Sequence, residues 1–202
     1  MLAIKYGASA LGLVSEMPSG PGVIDEDLIA EIVSRIPPPI ATFLLTSKQT
    51  AEEIINQQLR TKVNTLQLVD RVPYKELQKL REQLTGVKLV QVIHVADDNS
   101  IEEALSVQGY VDALLLDSGN PNLLVKELGG TGRTHNWSIS KQIKNGVNIP
   151  VFLAGGLKPG NVLEAIKAVQ PYGLDVCNGV RTYNKLDEAK LKKFLNVVSG
   201  RV

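Results

Sequence analysis

The 202-residue chain has one cysteine, Cys177, so no internal disulfide can form, and a lone thiol fits a reducing compartment, the cytoplasm. It has two histidines, His94 and His135, far from each other and from Cys177, so no metal-ligand spacing is present and no metal is expected. Excess charge is lacking too. Lys and Arg outnumber Asp and Glu by one, which argues against binding nucleic acid or a membrane surface through bulk charge. No apolar run approaches the roughly 18 residues of a membrane span. The opening M-L-A-I-K-Y-G lacks the apolar core of a signal peptide. No linker or low-complexity segment divides the chain, which reads as one domain over 1–202. A hydrophobic content of 44% is enough for a sizeable core.

What the chain has is alternation. Short apolar runs at Leu11–Ser15, Ile40–Leu45, Thr65–Val69, Lys88–Val95, Val111–Leu116, Pro150–Ala154 and Leu174–Cys177 read as strands. Between them lie amphipathic stretches. Asp25 is placed to cap a helix over Glu26–Ile36, Ser47 to begin one running to Leu59, and Ser100 to cap one over Ile101–Val107. Pro73–Leu84, Ser138–Lys144, Gly160–Val169 and Asp187–Val198 complete the series, and Met1–Ala8 reads as the end of a helix closed by Gly7. Strict β-α alternation implies parallel strands joined by right-handed crossovers, as an open doubly wound sheet or a (β/α)₈ barrel. The G-x-G-x-x-G turn of a dinucleotide site is absent after the first strand.

Gly155 and Gly156 end one strand, and Asn178-Gly179 follow the last. Glycines at the start of a helix, here expected near Pro159, expose backbone N–H groups that can hold a phosphate. In barrels that site follows strands seven and eight. Counted back from there, the strands present are numbers two to eight. The fold expected is a TIM (β/α)₈ barrel whose first strand is missing, with two strand edges that a second copy, as a homodimer, could cover.

Three motifs carry a resemblance. L-L-L-D-S at Leu114–Ser118 with G-G-T-G-R-T-H-N-W at Gly129–Trp137, F-L-A-G-G-L-K-P-G-N-V at Phe152–Val162, and L-D-V-C-N-G-V at Leu174–Val180 resemble the phosphoribosylanthranilate isomerase family in order and spacing. That resemblance implies an Amadori rearrangement of a phosphorylated aldosylamine in tryptophan biosynthesis, with a small sugar-phosphate substrate and no cofactor. It implies Asp117 as general acid, Asp175 as a substrate contact, and Gly155, Gly156, Asn178 and Gly179 as the phosphate cradle. Gly130 and Gly132 lie in the loop expected to fold over the ligand. A carboxyl that donates a proton near neutrality needs its pKa raised.

The chain also departs from the family pattern. The strand-one segment with the catalytic cysteine is absent, and Cys177 is not its replacement. Gly22 stands about where the family places a carboxylate-binding arginine. Gln67-Leu68-Val69-Asp70 replaces Q-L-H-G, and Arg181 replaces a glutamate. Two further readings therefore stay open: a divergent enzyme for another sugar phosphate, and a non-catalytic binder of a phosphorylated ligand.

Overall fold

The computed structural model describes residues 1–200. The elements run α1 (Leu2–Lys5), β1 (Ala10–Val14), α2 (Glu26–Ser34), β2 (Ala41–Thr46), α3 (Ala51–Thr61), β3 (Thr65–Leu68), α4 (Tyr74–Gln83), β4 (Lys88–His94) and α5 (Asn99–Val107). They continue with β5 (Ala113–Asp117), α6 (Trp137–Gly146), β6 (Val151–Leu153), α7 (Val162–Val169), β7 (Gly173–Leu174), a 3₁₀ turn (Asn178–Val180), the strands β8 (Arg181–Thr182) and β9 (Lys185–Leu186), and α8 (Glu188–Val198). Strands β1 to β7 are all parallel and pair in sequence order. The sheet curls as a TIM barrel does, with seven strands among the described residues, and β1 and β7 form its two edges. No helix among the described residues is long and apolar enough to cross a membrane.

Side-chain parity explains how the sheet is buried on both faces. In β4, Leu89 and Ile93 join a large outer core against the helices, whereas Val90 and Val92 join a smaller inner one. In β5 the outer pair is Leu114 and Leu116 and the inner pair Ala113 and Leu115. The inner cluster also holds Val69 and Ala154, with Phe43, Leu45 and Phe152 packed on it, so the barrel interior is filled. Phe152 needs room there: a Cβ at Gly173, its neighbour on β7, would stand 2.8 Å from the ring. The same parity carries Asp117 inward after Ala113 and Leu115, and Asp175 inward after Gly173. Both carboxyls therefore emerge inside the C-terminal rim of the barrel, the end where βα-loops build a site.

Several boundaries differ from the sequence expectation. Helix α3 is capped by Thr50, not Ser47; the Thr50 hydroxyl accepts from the Glu53 N–H at 3.4 Å. Its buried face carries Ala51, Ile54, Gln57 and Thr61, while Leu59 is 51% exposed; Gln57 is held inside because its Oε1 accepts from Thr46 Oγ1 at 2.5 Å. Asp98, not Ser100, precedes α5; the buried Ser100 hydroxyl instead accepts from the Ala96 N–H at 3.2 Å. Helix α7 begins at Val162 rather than near Pro159. The Asn161 side chain holds the preceding turn, accepting from the Lys158 N–H at 2.8 Å and donating to the Gly156 carbonyl at 3.1 Å. Strand β7 stops at Leu174. The β8–β9 hairpin turns through Tyr183 and Asn184, both with positive φ, and its polar sequence carries no strand signal.

Candidate active site

Three βα-loops meet over the inner end of the barrel. They follow β5, β6 and β7, and they line a small cavity that opens at the rim. The residues that the motif resemblance implies as the site line it: Asp117, Gly130, Gly132, Gly155, Gly156, Asp175, Asn178 and Gly179. Thr131, Leu157 and Cys177 line it as well. Thr131 lies inside the G-G-T-G motif, which could have pointed to it.

Asp117 is buried at the floor. Its Oδ1 accepts from the Ser118 N–H at 2.7 Å, and Ser118 Oγ lies 2.8 Å from Thr131 Oγ1. Its Oδ2 would stand 2.8 Å from a Cβ at Gly129, so glycine there leaves the second oxygen room. Asp175 is half-buried and faces the same space. Burial, reinforced by the negative charge of Asp117, pushes its pKa up from 3.8 to about 6, against the opposing hydrogen bond from the Val176 backbone. The carboxyl raised towards neutrality is thus Asp175. Burial also pushes the Cys177 thiol up, while the nearby Arg181 charge pulls the other way, so the thiol stays protonated at neutral pH.

The glycine corner presents backbone donors. Among the described residues, the N–H groups of Gly156 and Gly179 donate to no backbone acceptor. The loops approach too closely for side chains. A Cβ at Gly179 would lie 1.8 Å from the Leu157 carbonyl oxygen, and one at Gly156, where φ is +61°, 2.5 Å from the Arg133 carbonyl carbon. These donors come from loop backbone and the 3₁₀ turn; the first turn of α7 is several residues away. Beyond them, Lys158, Lys190 and Lys193 line an adjoining depression that makes this side of the rim positive. Replacing Gly179 by Ala should therefore push the two loops apart. The expected loss in affinity for ribose 5-phosphate is roughly 10- to 100-fold, the worth of one hydrogen bond to a charged group. Calorimetric titration checks this, with circular dichroism confirming that the variant folds.

The loop over 119–136 is tied down at several points. The Asn178 amide donates to the Gly130 carbonyl. Lys126 reaches the buried Asp70 at 2.5 Å, Arg133 pairs with Glu127, and the Ser19 hydroxyl donates to the Lys126 carbonyl at 2.6 Å. Asp70, in place of the H-G turn, is thus the anchor for this loop.

The histidines lie beside the cavity, not in its lining. His135 Nε2 is 2.7 Å from Ser140 Oγ, and its buried Nδ1 has no partner, facing Gly155. Burial lowers its pKa despite the charge of Asp117, so its ring is neutral at pH 7. His94 Nε2 lies 2.9 Å from the Val69 carbonyl. Gly22 sits in the loop after β1, and the space beside it is reached by Arg181: a Cβ there would be 3.4 Å from the guanidinium. No cluster of three or more metal-binding side chains occurs among the described residues.

This geometry has counterparts. A profile of the family described as N-(5'-phosphoribosyl)anthranilate (PRA) isomerase matches residues 9–197. The N-(5'-phosphoribosyl)anthranilate isomerase of Methanocella arvoryzae is 35% identical over 193 residues, spanning 95% of this chain and 88% of that protein. The crystal structure of the phosphoribosyl anthranilate isomerase from Thermotoga maritima superposes with a TM-score of 0.84 at 26% identity, covering 98% of this chain and 92% of that one. A crystal structure of phosphoribosyl anthranilate isomerase in complex with reduced 1-(o-carboxyphenylamino)-1-deoxyribulose 5-phosphate shares the fold with a TM-score of 0.81 at 24% identity, covering 98% of this chain and 91% of that one.

Proposed function

Since the chain belongs to the N-(5'-phosphoribosyl)anthranilate isomerase family, we propose that it converts N-(5'-phosphoribosyl)anthranilate into 1-(o-carboxyphenylamino)-1-deoxyribulose 5-phosphate, a step of tryptophan biosynthesis. The observation that carries this reading is the meeting, in one cavity, of two inward carboxyls and a corner of free backbone N–H groups. The reaction moves protons only. No electrons leave the substrate, so it calls for no redox cofactor.

The phosphate takes the N–H groups of Gly156 and Gly179, with Gly155 and Asn178 completing the corner and Lys158 and Lys190 supplying positive field. This seats the ribose over Asp117. Asp117, in the reactive complex that carries its proton there, donates that proton to the ring oxygen as the C1–O bond breaks, which leaves an open-chain iminium at C1. Asp175, raised to about 6 and so ionised at neutral pH yet still basic, takes the proton from C2. The enaminol then becomes the ketose as C1 gains a proton and the C2 hydroxyl loses one. Gly130, Thr131 and Gly132 close over the sugar and keep water from the iminium.

Calorimetry with reduced 1-(o-carboxyphenylamino)-1-deoxyribulose 5-phosphate and, in parallel, ribose 5-phosphate tests the site. The former should bind at least about tenfold more tightly, a difference of ~1.4 kcal/mol. Equal affinity would leave a phosphate corner alone and favour another phosphorylated sugar as substrate.

A further inference from the structure

The proposed substrate has two anionic ends. The phosphate has its corner, and the carboxylate on the aromatic ring needs a cation elsewhere on the rim. In the loops after β5 and β7 the candidates are Lys126, Arg133 and Arg181. Lys126 is held by Asp70 and Arg133 by Glu127. Arg181 forms no ion pair with a carboxylate among the described residues. Its Nη1 donates to the Asn184 carbonyl at 2.8 Å, which folds the side chain back across the β8–β9 hairpin and fixes its direction. The other nitrogen, Nη2, then faces the loop after β1, 3.4 Å from where a Cβ on Gly22 would be.

That position lies at the cavity mouth. Pro21, next to Gly22, packs so closely on Gly130 that a Cβ there would be 2.8 Å from the proline ring, and Gly130 lines the cavity. On the other side Arg181 acts on Cys177, another lining residue. Gly22 itself has φ +87° and no side chain to fill the gap. The guanidinium thus stands beside a space left open by glycine, while Lys190 Nζ donates to the Arg181 backbone carbonyl at 2.9 Å and so serves the hairpin backbone. Its planar fork suits a carboxylate.

We propose that Arg181 is the specificity-determining residue of this enzyme, binding the aromatic carboxylate of the substrate from the hairpin after β7. The proposal rests on the isomerase reading and adds to it the group that selects the aglycone. Arg181 touches neither the ring oxygen nor C2, so its removal should act on binding rather than on the chemical step.

The test compares reduced 1-(o-carboxyphenylamino)-1-deoxyribulose 5-phosphate with its phenylamino counterpart lacking the carboxylate, and with ribose 5-phosphate. For Arg181→Met, affinity for the carboxylated compound should fall roughly 10- to 100-fold, the worth of a charge-assisted hydrogen bond. Affinities for the other two should change less than about threefold, as expected if the phosphate corner is independent. In turnover, KM should rise with kcat within a few-fold. Gly22→Asp gives a second variant with Arg181 intact: a carboxylate supplied by the protein would occupy the guanidinium and cause the same selective loss. A merely structural arginine would weaken all three ligands alike, and an arginine serving the phosphate would weaken ribose 5-phosphate as much; either result overturns the assignment. So does a wild-type protein with no preference for the carboxylated compound. The isomerase reading is judged separately, by turnover of N-(5'-phosphoribosyl)anthranilate by the wild-type protein.

Discussion

Replacing Asp117 by Asn is expected to lower kcat by roughly 10²- to 10⁴-fold, the usual contribution of a positioned general acid. The substitution is nearly isosteric. The amide oxygen can keep the Ser118 N–H bond that the carboxylate accepts at 2.7 Å, and Gly129 leaves room for the new NH₂. Binding of the reduced product analogue should stay within a few-fold, so the loss falls on the chemical step. A second readout comes from the neighbour. The charge of Asp117 is one cause of the high pKa of Asp175, so in Asp117→Asn the Asp175 carboxyl should titrate at lower pH. A side-chain-resolved NMR titration reads that directly. Undiminished kcat in Asp117→Asn would remove Asp117 from the chemistry.

Replacing Asp175 by Asn should move activity and stability in opposite directions. In the wild type, kcat/KM should rise with pH through about 6 as Asp175 ionises, and this limb should vanish in the variant together with roughly 10²-fold or more of the rate. Stability has the reverse slope. The folded pKa lies above its usual 3.8, so the folded protein binds this proton more tightly than the unfolded chain does. Stability from this group is therefore greatest at low pH and falls as pH rises from about 4 to about 6. Above that window the ionised carboxyl costs roughly 2–3 kcal/mol, allowing for its partial exposure. Asn removes that cost, so the variant should melt several degrees higher at pH 7 to 8, where ~1 kcal/mol corresponds to about 2–4 °C. The gap should close below pH 4. A variant no more stable than wild type at pH 8 would mean that the carboxyl is not buried as described.

The strands were legible because each is a short apolar run bounded by glycine, proline or a charge; β-α alternation gives the parallel sheet, and the glycine corners after the last two strands point to the barrel. The cavity-lining residues were legible through motif resemblance, and parity along β5 and β7 gives the physical reason that Asp117 and Asp175 converge. Helix starts were less legible. Ser47 and Ser100 have capping chemistry, but Ser47 lies before the true start and spends its hydroxyl on the Glu16 carbonyl, and Ser100 is drawn into the interior by Ala96. The Asp70–Lys126 pair joins residues 56 apart, and the approach of Arg181 to Gly22 joins two loops at the ends of the chain. Neither leaves a local pattern. Arg181 on its own reads as an ordinary solvated arginine; only the position of Gly22 beside it, fixed by the curl of the sheet, gives it a role.

The central claim is that this cavity isomerises a phosphorylated aldosylamine. The most direct measurement is turnover: the purified protein is given N-(5'-phosphoribosyl)anthranilate at pH 7.5 and the products are separated and identified by mass and retention against the authentic ketose. The expected result is accumulation of 1-(o-carboxyphenylamino)-1-deoxyribulose 5-phosphate at a rate that collapses in Asp117→Asn. No product above the uncatalysed background from a protein that binds the reduced analogue tightly would contradict it, and would leave a binding protein built on an isomerase frame.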